Sequence, residues 1–164
     1  MLLNMYRYTN SEYYNSEGYY DPTAGKVFAQ IVREEKNKHK PVKILDKVQD
    51  IVHYPVPIID FSQWYAAEYT RTHGVRTSKY AEGKPKKWGD PKRIRKYLIL
   101  YLYAIKHCDD ADFSPEIVAV KCGLGAIKGA RTVMQIFSGK GDIQNLIDAW
   151  YYWNENIAEN SNEN

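Results

Sequence analysis

Residues 114–150 read SPEIVAVKCGLGAIKGARTVMQIFSGKGDIQNLIDAW, and this stretch decides how the chain folds. Glycines at 123, 125, 129, 139 and 141 divide it into short segments whose apolar residues recur at helical spacing. Ser114 is the expected N-cap of the first segment, Pro115 suits its first helical position, and Glu116 suits the positive end of a helix dipole. Ile117, Val118 and Val120 supply apolar groups there. Ala119 and Gly123, four apart, allow a close approach and a turn. Thr132, Val133, Ile136 and Phe137 form the stripe of the second segment. Ser138 to Asp142 ends it and caps a third, whose packing face is Ile143, Leu146, Ile147 and Trp150.

The same punctuation continues upstream. Asp21-Pro22-Thr23 is a helix start, followed by an apolar face of Ala24, Val27, Phe28, Ile31 and Val32 and a stop at Pro41. Ile44, Leu45, Val48, Ile51 and Val52 give a second helical face over Val42 to Tyr54. Pro55-Val56-Pro57 is expected to be extended, with helix resuming at Asp60 or Ser62 and presenting Trp64, Tyr65 and Tyr69. Asp90-Pro91 repeats the start signal ahead of Ile94, Tyr97, Leu98, Tyr101, Leu102 and Ile105. Leu100 and Tyr103 make that helix apolar nearly all round, so it is expected to be central. No Asn-Gly or Asp-Gly hairpin signal occurs. The expected fold is all-α: a helical bundle of five to seven helices.

By composition the chain divides into a Tyr-rich arm (1–20), an N-terminal helical region (21–74), a basic connector (75–90), a C-terminal helical region (91–153) and a fraying tail (154–164). With 164 residues and 44% hydrophobic content it is long enough to bury a core. Fifteen tyrosines suit half-buried surfaces, either at the rim of a helical core or at an interface. Cys108 and Cys122 lack CxxC spacing and are expected to be reduced thiols. The start Met1-Leu2-Leu3-Asn4 has no charged segment or long apolar run, and Tyr97 to Ile105 is too short to span a bilayer. A cytoplasmic protein without a membrane partner is therefore expected.

Charge placement says more than its sum. From Arg71 to Lys96 ten cations face only Glu82 and Asp90, a local balance of +8 in a chain whose total is +3. Such asymmetry points to a polyanion. Lys84, Lys86, Lys87, Lys92 and Arg93 are placed to neutralise phosphates whatever the base sequence, and Tyr80 and Trp88 to stack on unpaired bases. A solvated linker is the plain reading of the same residues.

Reading duplex DNA takes a scaffold helix, a turn and a second helix whose polar face enters the major groove. Arg131-Thr132-Val133, then Ile136, Phe137, Ser138, Gly139 and Lys140, then Ile143 and Asn145-Leu146, resemble Cro and phage-repressor type helix-turn-helix domains. The resemblance spans residues 91–153 and makes the helix from Pro91 the first of that domain. It implies that Lys128, Arg131, Met134 and Gln135 face DNA and that Lys140 touches phosphate. Residues 18–35, with Gly18-Tyr-Tyr-Asp-Pro-Thr-Ala-Gly and Arg33-Glu34-Glu35, resemble a segment of small prophage proteins of Gram-positive bacteria, which carries no known activity. Together they imply a phage or mobile-element protein that binds nucleic acid, duplex DNA foremost, with a homodimer as the expected state. The alternative is a small phage inhibitor of a host protein, such as a nucleic-acid-targeting defence complex. Residues 123–129 separate the two: a compact turn favours DNA, whereas a protruding loop or continued helix favours a protein partner.

No enzyme chemistry is expected. His107-Cys108-Asp109 are sequence neighbours, which do not converge on one point of a helix. Asp109, Asp110 and Asp112 lack the glycine and closing glutamate of a calcium loop. Gly123-Leu-Gly has no preceding strand, and Gly139-Lys140 lacks the earlier glycine of a phosphate loop, so no nucleotide cofactor is implied. His39, His53 and His73 are scattered, and no metal is expected.

Overall fold

The computed structural model describes residues 22–46, 50–74, 87–139 and 141–158. They form seven α-helices: α1 (Pro22–Asn37), α2 (Lys43–Asp46), α3 (Val56–His73), α4 (Pro91–His107), α5 (Pro115–Lys121), α6 (Ala126–Ile136) and α7 (Gly141–Trp153). Short 3-10 turns lie at Ile51–His53 and Lys87–Gly89, and a π-helical turn at Asn154–Ala158. There is no strand among the described residues, so the fold is all-α. The chain divides into two compact units that alternate along the sequence. One comprises residues up to Pro41 with Leu100–Gln144; the other comprises Val42–Ile99 with Asn145–Asn164. The division falls inside α4 and inside α7.

In the first unit α1 buries Phe28, Ala29, Ile31 and Val32 and leaves Lys26, Gln30 and Lys36 in solvent, which is the face its spacing predicts. Phe28 stacks on Phe113 at 5.4 Å between ring centroids and meets Phe137 edge-on at 5.8 Å. Tyr101 of α4 stacks on Phe137 from 5.4 Å, and its hydroxyl donates to Glu35 Oε1 at 3.2 Å. Aromatic pairs of this kind contribute about 0.5–1.5 kcal/mol each beyond the area they bury. Arg33 Nε adds an ion pair to Asp109 at 2.8 Å. It is exposed, so it is worth at most about 1 kcal/mol.

The second unit is built on Phe61 of α3. Its ring meets Trp150 edge-on at 5.2 Å and Trp153 at 5.8 Å. Trp88 is buried against the edge of Tyr97 at 5.1 Å. Within α4, residues Leu98 to Leu102 are buried without interruption, which covers every face of the helix, as its all-round apolar character predicts.

Three expectations change. Helix α3 begins at Val56, with Pro57 in its first turn, where a missing N–H costs nothing; Pro55-Val56-Pro57 therefore starts the helix and does not hold it off. Ser62, one of the two expected starts, lies inside α3, buried, donating its hydroxyl to the Ile58 carbonyl at 2.7 Å. The chain does not begin to fray at Asn154: Asn154 is buried and its Nδ2 donates to the Trp150 carbonyl at 2.8 Å, extending helical structure to Ala158. The expected helical face over Val42 to Tyr54 is α2 and a 3-10 turn, with residues 47–49, including Val48, outside the described residues.

Candidate nucleic-acid interface

The site begins with a cap. Ser114 has extended φ and ψ, and its hydroxyl accepts from the Ile117 N–H at 3.1 Å, starting α5. Helix α5 ends at Lys121, and α6 starts at Ala126. The turn between them is thus Cys122-Gly123-Leu124-Gly125. Gly123 takes φ +84°, the left-handed conformation that a side chain disfavours. The Leu124 N–H bonds the Ala119 carbonyl at 2.8 Å and closes the turn. Ala126 to Gly129 are the first helical turn of α6, so the residues after Gly125 lengthen that helix and add nothing to the connection.

Gly129 sets how α6 lies on α5. A Cβ on Gly129 would sit 2.4 Å from the Ala119 Cβ, so the two helices approach through a glycine-alanine contact. Ala119 thus packs against Gly129, ten residues on, while Gly123 serves the turn. With Gly129 inward, Ala130, Val133 and Met134 follow it into the core, and the opposite side of α6 is left to solvent.

Lys128, Arg131 and Gln135 are exposed, at i, i+3 and i+7, and share that open face. Met134 does not: it is 3% exposed and part of the core, so the expectation that it faces DNA is corrected. The cause is the Gly129 contact, which turns the Ala130, Val133 and Met134 side of the helix inward. Lys140 lies outside the described residues, as do Lys84, Lys86 and Tyr80. Val120 and Ile127 flank the turn as exposed apolar side chains, 53% and 55% accessible. Val120, expected among the packing residues of its segment, is thus on the surface.

Lys87, Lys92 and Arg93 belong to the second unit, and all three are exposed. Arg93 Nη1 donates to the Lys87 carbonyl at 2.8 Å, which gathers these cations where α4 begins. Asp90, the acid among them, caps the helix: its Oδ1 accepts from the Lys92 N–H at 3.0 Å. Trp88 is 1% exposed and cannot stack on a base, which corrects the role expected of it. Arg95 is present in the same helix with its guanidinium 5.8 Å from the centre of the Tyr54 ring, a pair the sequence reading missed because the partners are distant in the chain.

The His107-Cys108-Asp109 triplet diverges. His107 Nδ1 pairs with Asp110 Oδ2 at 2.8 Å, Asp109 with Arg33, and the Cys108 thiol is buried. A cavity of about 250 Å³ beside them is lined by Tyr103, His107, Asp112, Phe113 and Lys121 among others. Among the described residues no helix is long and apolar enough to cross a membrane. No protein-family model, curated protein or solved structure matches the chain.

Proposed function

We propose that the chain is a nucleic-acid-binding protein of phage or mobile-element type, and that α5, its turn and α6 act as a helix-turn-helix unit on duplex DNA. One observation carries this reading. The connection is a compact turn, and the Gly129–Ala119 contact holds α6 with Lys128, Arg131 and Gln135 outward. Arg is suited to bidentate bonds with guanine O6 and N7, and Gln with adenine N6 and N7, at major-groove edges. Lys128 supplies sequence-independent charge toward phosphate on that face, while Lys87, Lys92 and Arg93 are a positive surface of the other unit.

The test is fluorescence anisotropy with a random-sequence duplex, then with duplexes selected from a random pool. Wild-type affinity is expected to fall steeply with salt. Arg131→Ala or Gln135→Ala should cost about 1–3 kcal/mol on the selected sequence and relax base preference. No duplex binding at low salt rejects the reading.

A second reading has an observation of its own. Val120 and Ile127 leave apolar surface open on both sides of the turn, a composition suited to a protein partner such as a host nucleic-acid-handling complex. In that case Ile127→Asp should abolish recovery of the partner, while Arg131→Ala leaves it intact.

A further inference from the structure

Tyr54 takes φ +56° and ψ +67°, the left-handed region, and is the single non-glycine residue with positive φ among those described. It closes the 3-10 turn Ile51–His53, its N–H bonding the Ile51 carbonyl at 3.3 Å. Glycine does this work without strain. A tyrosine held here costs free energy, and the residue remains 48% exposed. The Arg95 guanidinium lies over one face of the ring, 5.8 Å from its centre. Lys92, one helical turn before Arg95, is exposed, as are Arg93 and Lys96 elsewhere on the same helix, and Arg93 is tied to the Lys87 backbone.

We infer that the Tyr54–Arg95 pair is a stacking platform for an unpaired base, and that this surface binds single-stranded nucleic acid. A flat aromatic ring backed on one face by a guanidinium can take any base on the other, because every base has a π-face. The exposed cations of the same helix supply positive charge for the phosphates of the strand that carries the base. A duplex keeps its bases stacked on each other and offers such a ring nothing. An acidic protein partner would satisfy the cations but would not call for a flat ring held at the cost of backbone strain. The site lies in the second unit, on residues other than the α6 face, and takes from the duplex reading only that the chain meets nucleic acid.

The experiment measures anisotropy of a labelled short oligothymidylate and of a labelled duplex at low salt, for wild type, Tyr54→Gly, Tyr54→Phe and Arg131→Ala. Tyr54→Gly removes the ring and relieves the backbone, so its melting temperature should not fall. The expected result is a loss of about tenfold in oligothymidylate affinity for Tyr54→Gly, retention for Tyr54→Phe, and duplex affinity within twofold of wild type for both. Arg131→Ala should leave oligothymidylate binding unchanged, so failure of the duplex reading shows separately. Absence of oligothymidylate binding by wild type overturns the proposal. So does Tyr54→Gly binding as wild type, or losing single strand and duplex alike, which would leave only unspecific charge. Loss of oligothymidylate binding in Tyr54→Phe would also overturn it, since stacking does not need the hydroxyl.

Discussion

Gly129 is the residue on which the α5–α6 pair depends. In an ordinary helix interior, replacing glycine by alanine gains about 1 kcal/mol. Here the added Cβ would stand 2.4 Å from the Ala119 Cβ and 3.0 Å from that of Leu124, both fixed directly to backbone, so neither can swing aside. Carbon atoms prefer about 3.5–4.0 Å, and the helices must part. Gly129→Ala should therefore lower the unfolding free energy by about 1–3 kcal/mol, read as a lower urea midpoint at unchanged slope. A rise in the midpoint would show that the approach is not this close. Cys108 gives a pH prediction. Burial pushes its thiol pKa up and the Asp109 carboxylate adds to this, while Lys36 and Arg33 pull it back. A thiol that holds its proton more tightly when folded contributes stability that is full below the unfolded thiol value, about 8.5, and is lost as pH rises through the folded one. Wild-type stability should decline above about pH 9, and Cys108→Ala should lose less over that range even though it starts lower. Equal declines would remove the thiol as the cause.

Helix starts written in local chemistry were legible, and the side a helix turns inward was less so. Pro22, Pro91 and Ser114-Pro115 all mark starts where they were expected, because a cap and a first-turn proline act within a few residues. Ser114 also sets a number. It is buried, so without its hydroxyl the Ile117 N–H has no ready access to water, and Ser114→Ala should cost about 1–2 kcal/mol. Thermal melting tests this, and a change of only a few tenths would mean that packing alone holds α5. Helix α3 was misplaced because Pro55-Val56-Pro57 permits two outcomes, an extended segment or a first turn, and sequence alone does not choose between them. The Met134 error is of another kind. The stripe expected for α6 is Thr132, Val133, Ile136 and Phe137; the last three are buried, and Gly129, Ala130 and Met134 are buried with them while Thr132 is half-exposed. Gly129 and Ala130 are too small to register as apolar, yet their smallness brings the helix close and points Met134 inward. Lys128, Arg131 and Gln135 are legible as a polar set, since the wider buried face does not reach them. Tyr54 and Arg95 were invisible for a third reason: a left-handed backbone angle and a contact between distant residues leave no local trace.

At the scale of the whole chain the net charge of +3 is too small to hold a polyanion, so the proposed binding rests on where the cations lie. The two candidate surfaces fall in different units, Arg131 in the first and Lys92 and Arg93 in the second. Salt dependence separates what each contributes. Every phosphate a cation neutralises releases condensed counterions, so log affinity falls with log salt by about 0.9 per contact on duplex and about 0.7 on a single strand. Gln135 carries no charge and should leave the slope alone while shifting affinity for the selected sequence. If Arg131 serves base edges, Arg131→Ala should weaken the selected duplex far more than a random one; if it serves phosphate, both should weaken alike and the slope should drop by about one. On oligothymidylate, the double substitution Lys92→Ala with Arg93→Ala should lower the slope by about 1.4, twice the single-strand increment, while Tyr54→Gly lowers affinity and leaves the slope unchanged, because stacking releases no counterions. A slope unaffected by losing both cations would remove that surface from nucleic-acid contact and leave its positive charge to be explained by a protein partner.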